Sequence, residues 1–178
     1  MELGRLTGAV AVLLLASGTG QASQAAGAST SRVQAAYDAQ CVDLLRGDFA
    51  DFARTLSPSF TAHVEGQTYS RDQVVTSLKS ASSSITLTKC TTSVDSVTQS
   101  NGVLIALVRQ LVDGTHGNQP FELASGKRDM WSGASTALIE TSSTALWSTT
   151  SINGQIVQQS GLVPSPLPQE TATPRARL

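Results

Sequence analysis

The periodicity of the chain changes once, near residue 84, and that change restricts the fold more than any other feature. Before it, apart from a short strand-like stretch at Phe60 to Val64, apolar residues recur at helical spacing; after it, strand patterns follow one another, opening with Ile85 to Thr98, rich in β-branched residues, and punctuated by Asn101-Gly102 and Asn153-Gly154. Helices first and a meander of strands second is an α+β pattern.

Val33, Ala36, Tyr37, Gln40, Cys41, Leu44 and Leu45 lie on one helical face, with Ser29, Thr30 or Ser31 as N-cap and Gly47 as the stop. Cys41 therefore faces inward. Asp48 can cap a second, shorter helix carrying Phe49, Phe52 and Leu56, which Ser57-Pro58 ends because a residue before proline avoids the helical region. Phe60 to Val64 suits a short strand. Ser70-Arg71-Asp72-Gln73 has the form of a capping box, and Val74, Val75 and Leu78 give a third helix its apolar stripe.

In the second half, Ile85 to Thr98 reads as a strand whose apolar alternation changes phase between Leu87 and Val94, the mark of a bulge or bend. Val103 to Val112 is apolar on both faces, which predicts a central, doubly covered strand. Asp113-Gly114 opens a predicted loop through Gly126. Lys127 to Trp131, Thr136 to Thr150 and Gln155 to Gln159 complete the expected strands.

The two ends differ from this middle. Arg5 precedes an apolar run from Leu6 to Ala16, too short to span a bilayer, and small residues follow it; residues 1–28 are expected to be a secretory signal peptide. Pro164, Pro166, Pro168 and Pro174 mark 164–178 as a disordered Pro-rich tail. One domain over 31–163 remains, long enough for a single core. A secreted or periplasmic chain is the expectation, with no membrane association after signal cleavage. An even pair of cysteines in such a chain points to one disulfide, Cys41 to Cys90, closing a loop that the chain-entropy model values at about 4 kcal/mol.

Three stretches carry a family likeness. Tyr37 to Leu56 (YDAQCVDLLRGDFADFARTL), Phe60 to Gly66 (FTAHVEG) and Arg128-Asp129-Met130-Trp131, taken in the order helix, helix, strand, helix, long strands, resemble the nuclear-transport-factor-two-like superfamily. That superfamily includes ketosteroid isomerases and SnoaL-like cyclases, and the likeness is to an exported branch of unknown function. It implies three N-terminal helices packed on a strongly curved antiparallel sheet, the cystatin-like or cone fold. It also implies a pocket between helices and sheet whose few polar groups set the function, with Tyr37, Phe60, Tyr69, Trp131 and Trp147 as candidate wall residues.

In enzymes of that superfamily a base projects from the short strand after the second helix, and His63 falls there, although the isomerases carry Asp. A neutral imidazole can take a proton at physiological pH. Glu65 and Asp129 are the candidate acids to orient it, and Tyr37 and Tyr69 the phenols that could donate to an oxyanion. Each also suits a structural role: His63 as a hydrogen-bonded strand residue, Glu65 as a turn acid, Asp129 as the partner of Lys127 or Arg128.

Other chemistries find no support. With two histidines, no HExxH and no acidic cluster at ligand spacing, no metal is expected, and without a Gly-rich phosphate loop no nucleotide or other cofactor is. Twelve basic against thirteen acidic residues leave no footprint for nucleic acid. Three readings remain: a domain binding a small apolar or amphipathic ligand, a metal-free isomerase, cyclase or hydratase using His63, and a homodimerising scaffold.

Overall fold

The computed structural model describes residues 18–133 and 137–163, so the expected Pro-rich tail and most of the expected signal peptide lie outside it. Three helices, α1 (Gly18–Arg46), α2 (Phe49–Arg54) and α3 (Arg71–Ala81), accompany seven strands. The strands are β1 (Leu56–Val64), β2 (Gln67–Ser70), β3 (Ile85–Ser100), β4 (Val103–His116), β5 (Gln119–Ser132), β6 (Ile139–Ile152) and β7 (Gln155–Gly161). The fold is α+β, with the helices against one face of a curved sheet.

That sheet runs β2-β1-β6-β5-β4-β3, and β7 also pairs with β6. All pairs are antiparallel but one: β1 and β6 run parallel, so the sheet is mixed rather than wholly antiparallel. The change of phase expected in β3 is real, and it is double. Register shifts fall between Leu87 and Lys89 and between Val94 and Ser96, and such bulges bend and twist a long strand around the helices. Gln34 of α1 lies against the second shift. Its amide donates to the Thr92 carbonyl at 2.8 Å and accepts from the Val94 N–H at 3.2 Å, satisfying backbone groups on the sheet's edge strand.

Several local expectations are met in detail. Ser70 and Gln73 form both halves of the capping box, and Asp48 accepts from the Asp51 N–H at the start of α2. Asn101 and Gly102 both have positive φ, as do Asn153 and Gly154, the backbone of a tight hairpin turn.

Others are corrected. Helix α1 does not begin at Ser29 to Ser31 but runs back to Gly18, through a stretch in which Ala22, Ala25, Ala26 and Ala28 favour a helix and Gly18, Gly20 and Gly27 do not. Ser31 donates to the Gly27 carbonyl at 3.1 Å as a mid-helix residue instead of capping. Helix α2 stops at Arg54, capped by Thr55, and Leu56 belongs to β1, with Pro58 in the gap of its pairing with β6. The predicted loop from Asp113 to Gly126 is the end of β4, a turn at Gly117, and the first half of β5. Gly114 is not a turn residue there: a Cβ on it would come within 2.2 Å of the Thr86 carbonyl oxygen, so glycine permits close strand approach. Strand β4 is fully covered on one face only: Leu104, Ala106, Val108 and Val112 are buried, whereas on the other face Ile105 is half-buried and Leu107 exposed.

Two apolar clusters form the core. Val33 and Tyr37 of α1 pack with Leu104, Ala106, Val108 and Trp131 of the sheet. Phe52, Leu56, Phe60 and Ala62 form the second, joined by Leu44, Tyr69, Val74, Val75 and Leu78. Cys41 and Cys90 are bridged, with Cα atoms 5.4 Å apart, tying α1 to the edge strand β3.

Candidate functional site

Strand pairing decides which side chains face the helices. Paired residues share a face, so Leu104, Ala106, Val108, Gln110 and Val112 of β4 line up with Trp131, Asp129, Lys127, Ser125 and Leu123 of β5. Helix α1 runs along this inner face, and the character of the interior changes along it.

At the middle lies a polar belt. The Tyr37 hydroxyl donates to Asp129 Oδ2 at 2.5 Å, Ser143 Oγ donates to Asp129 Oδ1 at 2.6 Å, and Trp131 Nε1 donates to the Tyr37 oxygen at 3.3 Å. The Tyr37 and Trp131 rings meet edge to face, 5.0 Å between centroids. Lys127 Nζ lies 3.9 Å from Asp129 Oδ2 and 5.8 Å from the centre of the Tyr37 ring, so its charge faces both. Beside this group, Gln40 donates to Glu140 Oε2 at 2.9 Å and to Thr55 Oγ1 at 3.0 Å, joining α1, β6 and the end of α2.

The electrostatics follow from burial. Desolvation, and then the charge of Asp129, hold the Tyr37 phenol far above its ordinary range, so it remains a proton donor. Glu140 is pushed up to about 8, first by burial and then by Asp129, against the opposing pull of Lys127 and Gln40. Tyr37, Asp129 and Trp131 are fully buried. Both oxygens of the Asp129 carboxylate and the Tyr37 hydroxyl are engaged by one another and by Ser143 and Trp131, a network that ties α1 to β5 and β6.

Towards the other end of α1 the interior opens into an apolar cleft of about 410 Å³, within the usual size of small-molecule sites. Leu44 and Leu45 of α1, Phe49 of α2, Leu78 and Ala81 of α3, and Ile85, Val112, Phe121 and Leu123 of the sheet contribute to its walls. The polar contributions are few. Gln110 also lines it; its amide lies 3.4 Å from Thr92 Oγ1 and 3.8 Å from the sulfur of Cys90, so the disulfide backs the cleft. Arg46 stands at the wall as well.

The expected site residues are dispersed. His63 is exposed, its Nδ1 3.0 Å from Thr68 Oγ1, and pairs in register with Thr144 and hence with exposed Arg128, on the outer face. Asp129, one residue on, faces inward. The partnership of His63 with Asp129 is therefore not formed, because neighbours on a strand point to opposite sides. Glu65 is exposed at positive φ in the β1–β2 turn, and Tyr69 donates to Gln67 at 2.6 Å. Of the candidate wall residues, Tyr37 and Trp131 belong to the belt, while Phe60 and Tyr69 belong to the second core cluster. Trp147 lies over Gly126, where a Cβ would come within 2.1 Å of its indole nitrogen. None of the five is among the residues that line the cleft.

No family model matches the sequence, and no curated protein sequence matches it significantly. Solved structures do match its shape. A ketosteroid isomerase-like protein from Erwinia carotovora atroseptica superposes with a TM-score of 0.54 at 13% identity, over 71% of this chain and 97% of that one. ActVI-ORFA from Streptomyces coelicolor gives 0.53 at 18%, over 70% and 95%. A domain with a cystatin-like fold from Nostoc punctiforme gives 0.50 at 14%, over 65% and 74%. The fold is the cystatin-like cone. At these identities the likeness extends to the fold and not to the chemistry.

Within the cone, sequence reasoning missed Gln40, Glu140, Gln110 and the cleft-lining leucines. Gln40 was legible as an inward residue on α1, a polar group at a core position that needed a partner. Glu140 had no such signal, because its face depends on the register of β6. Among the described residues no group of three or more His, Cys, Asp or Glu could hold a metal, and no helix is long and apolar enough to cross a membrane.

Proposed function

We propose that this cone is an exported binding domain for a small, largely apolar molecule, held in the cleft between the C-terminal ends of α1 and α3 and the sheet. The observation that carries the reading is the cleft itself: about 410 Å³ walled by leucine, isoleucine, valine and phenylalanine side chains, an arrangement that favours a ligand leaving water. The polar belt supports this assignment from the other side, since its donors and acceptors are spent on one another. Export rests on the apolar leader of the sequence, with which the Cys41–Cys90 bridge is compatible.

A neutral naphthylamine dye tests it. Its fluorescence should rise saturably on addition of the protein, and Ala81→Trp, at an exposed residue of the cleft wall, should abolish the rise without changing stability. Unsaturable binding, or binding indifferent to Ala81→Trp, would remove the cleft from consideration.

A second reading rests on the opposite face. Ile105 and Leu107 of β4 and Met130 of β5 share the outer side of the sheet, and Leu107 and Met130 are exposed. Such a surface suits pairing of two copies of the chain, which sedimentation of the wild type and of Leu107→Lys would compare.

A further inference from the structure

The cleft is apolar along its walls and charged at one place. Of the residues that line it, Arg46 alone carries a formal charge. It is the last residue of α1, exposed and next to Leu44 and Leu45, which point into the same space. The nearest acid in sequence, Asp48, has its carboxylate engaged as the cap of α2, accepting from the Asp51 N–H at 3.0 Å. Gln110, the amide on the disulfide side, and the hydroxyls of Ser82 and Thr86 are the uncharged hydrogen-bonding side chains of the wall.

We propose that the ligand is a single-chain amphipathic anion, its chain among Leu44, Leu78, Val112 and Phe121 and its head on the Arg46 guanidinium. This rests on the cleft being the binding site, and it adds the charge and shape of the occupant. The volume has room for about a dozen methylene-sized groups if each takes roughly 30 Å³, the share of one liquid water. A cation would meet the guanidinium. A neutral chain would fill the walls and leave the charge unused.

Dodecanoate and dodecyltrimethylammonium below their micellar concentrations, and dodecanol below its solubility limit, separate these cases by displacement of the bound dye from the full chain. Dodecanoate should bind about fivefold more tightly than dodecanol, the scale of one solvent-exposed charge contact, and the trimethylammonium compound most weakly. Arg46→Gln should bring dodecanoate down to dodecanol and leave dodecanol unchanged. The preference should also shrink in high salt. Equal binding of acid and alcohol by the wild type, or a preference for the cation, would overturn the anionic head while leaving the cleft as the site. Failure of all three to displace the dye would overturn the chain-shaped occupant, and failure of the dye itself to bind would overturn the cleft.

Discussion

Tyr37 and Asp129 meet at 2.5 Å across the middle of the cone, although 92 residues separate them in the chain. The contact joins the first helix to the centre of the sheet, and the second carboxylate oxygen is taken by Ser143 of the neighbouring strand. Replacing Asp129 with Ala leaves the buried Tyr37 hydroxyl and the half-buried Ser143 hydroxyl without their acceptor and the Lys127 charge without its counter-ion. The expected loss is about 3 to 5 kcal/mol, the cost of breaking a buried polar network from its charged side. Tyr37→Phe removes one hydroxyl, the donor to Asp129 and the acceptor of the longer Trp131 bond, and should cost about 1 to 3 kcal/mol. Urea denaturation of both variants checks the order, and a larger loss from Tyr37→Phe would contradict it.

Glu140 makes stability depend on pH in a definite direction. Its folded value of about 8 lies above the ordinary carboxyl value of 4.5, so between those two the folded state holds a proton that the unfolded state has released. Its contribution is therefore greatest at low pH and is lost as pH rises towards 8. Glu140→Gln cannot titrate, so wild type relative to Glu140→Gln should lose stability progressively from pH 5 to pH 8. Urea midpoints at three pH values across that window measure it; parallel curves would show that Glu140 does not carry the effect.

The bridge between Cys41 and Cys90, 49 residues apart in sequence, should contribute about 4 kcal/mol by restricting the unfolded chain. Cys41→Ala with Cys90→Ala should lower the thermal midpoint by many degrees, and reduction of the wild type should have the same effect. Because the bridge backs the cleft through Gln110, dye affinity should fall in the same variant even at temperatures where it remains folded.

Two glycines that no turn requires give a sharper contrast. A Cβ at Gly126 would meet the Trp147 indole, while one at Gly114 would meet the backbone of Thr86 and Leu87. Gly126→Ala should cost about 1 to 3 kcal/mol and be partly relieved by Trp147→Leu. Gly114→Ala has no side chain to trim and should be the more damaging of the two. Thermal unfolding of the three variants decides it.

What the sequence by itself determined is local. The capping box at Ser70, the Asp48 cap, the Asn-Gly hairpins and the change from helical to strand periodicity each depend on residues within one turn or one pair of strands. They were therefore legible, and so was the inward face of α1, including both Tyr37 and Cys41. Asp113-Gly114 was misread because the reason for its glycine is a carbonyl of another strand.

The site was decided by the tertiary structure. Whether His63 or Ala62, Arg128 or Asp129, faces the helices depends on register, and a slip of one residue reverses every side chain on a strand. The bulges in β3, β5 and β6 shift that register in ways that alternation cannot reveal. The cleft needed still more: residues from three helices and three strands line it, each apolar in its own segment for reasons a core would explain equally well. Only their arrangement in space shows that they leave a volume unfilled.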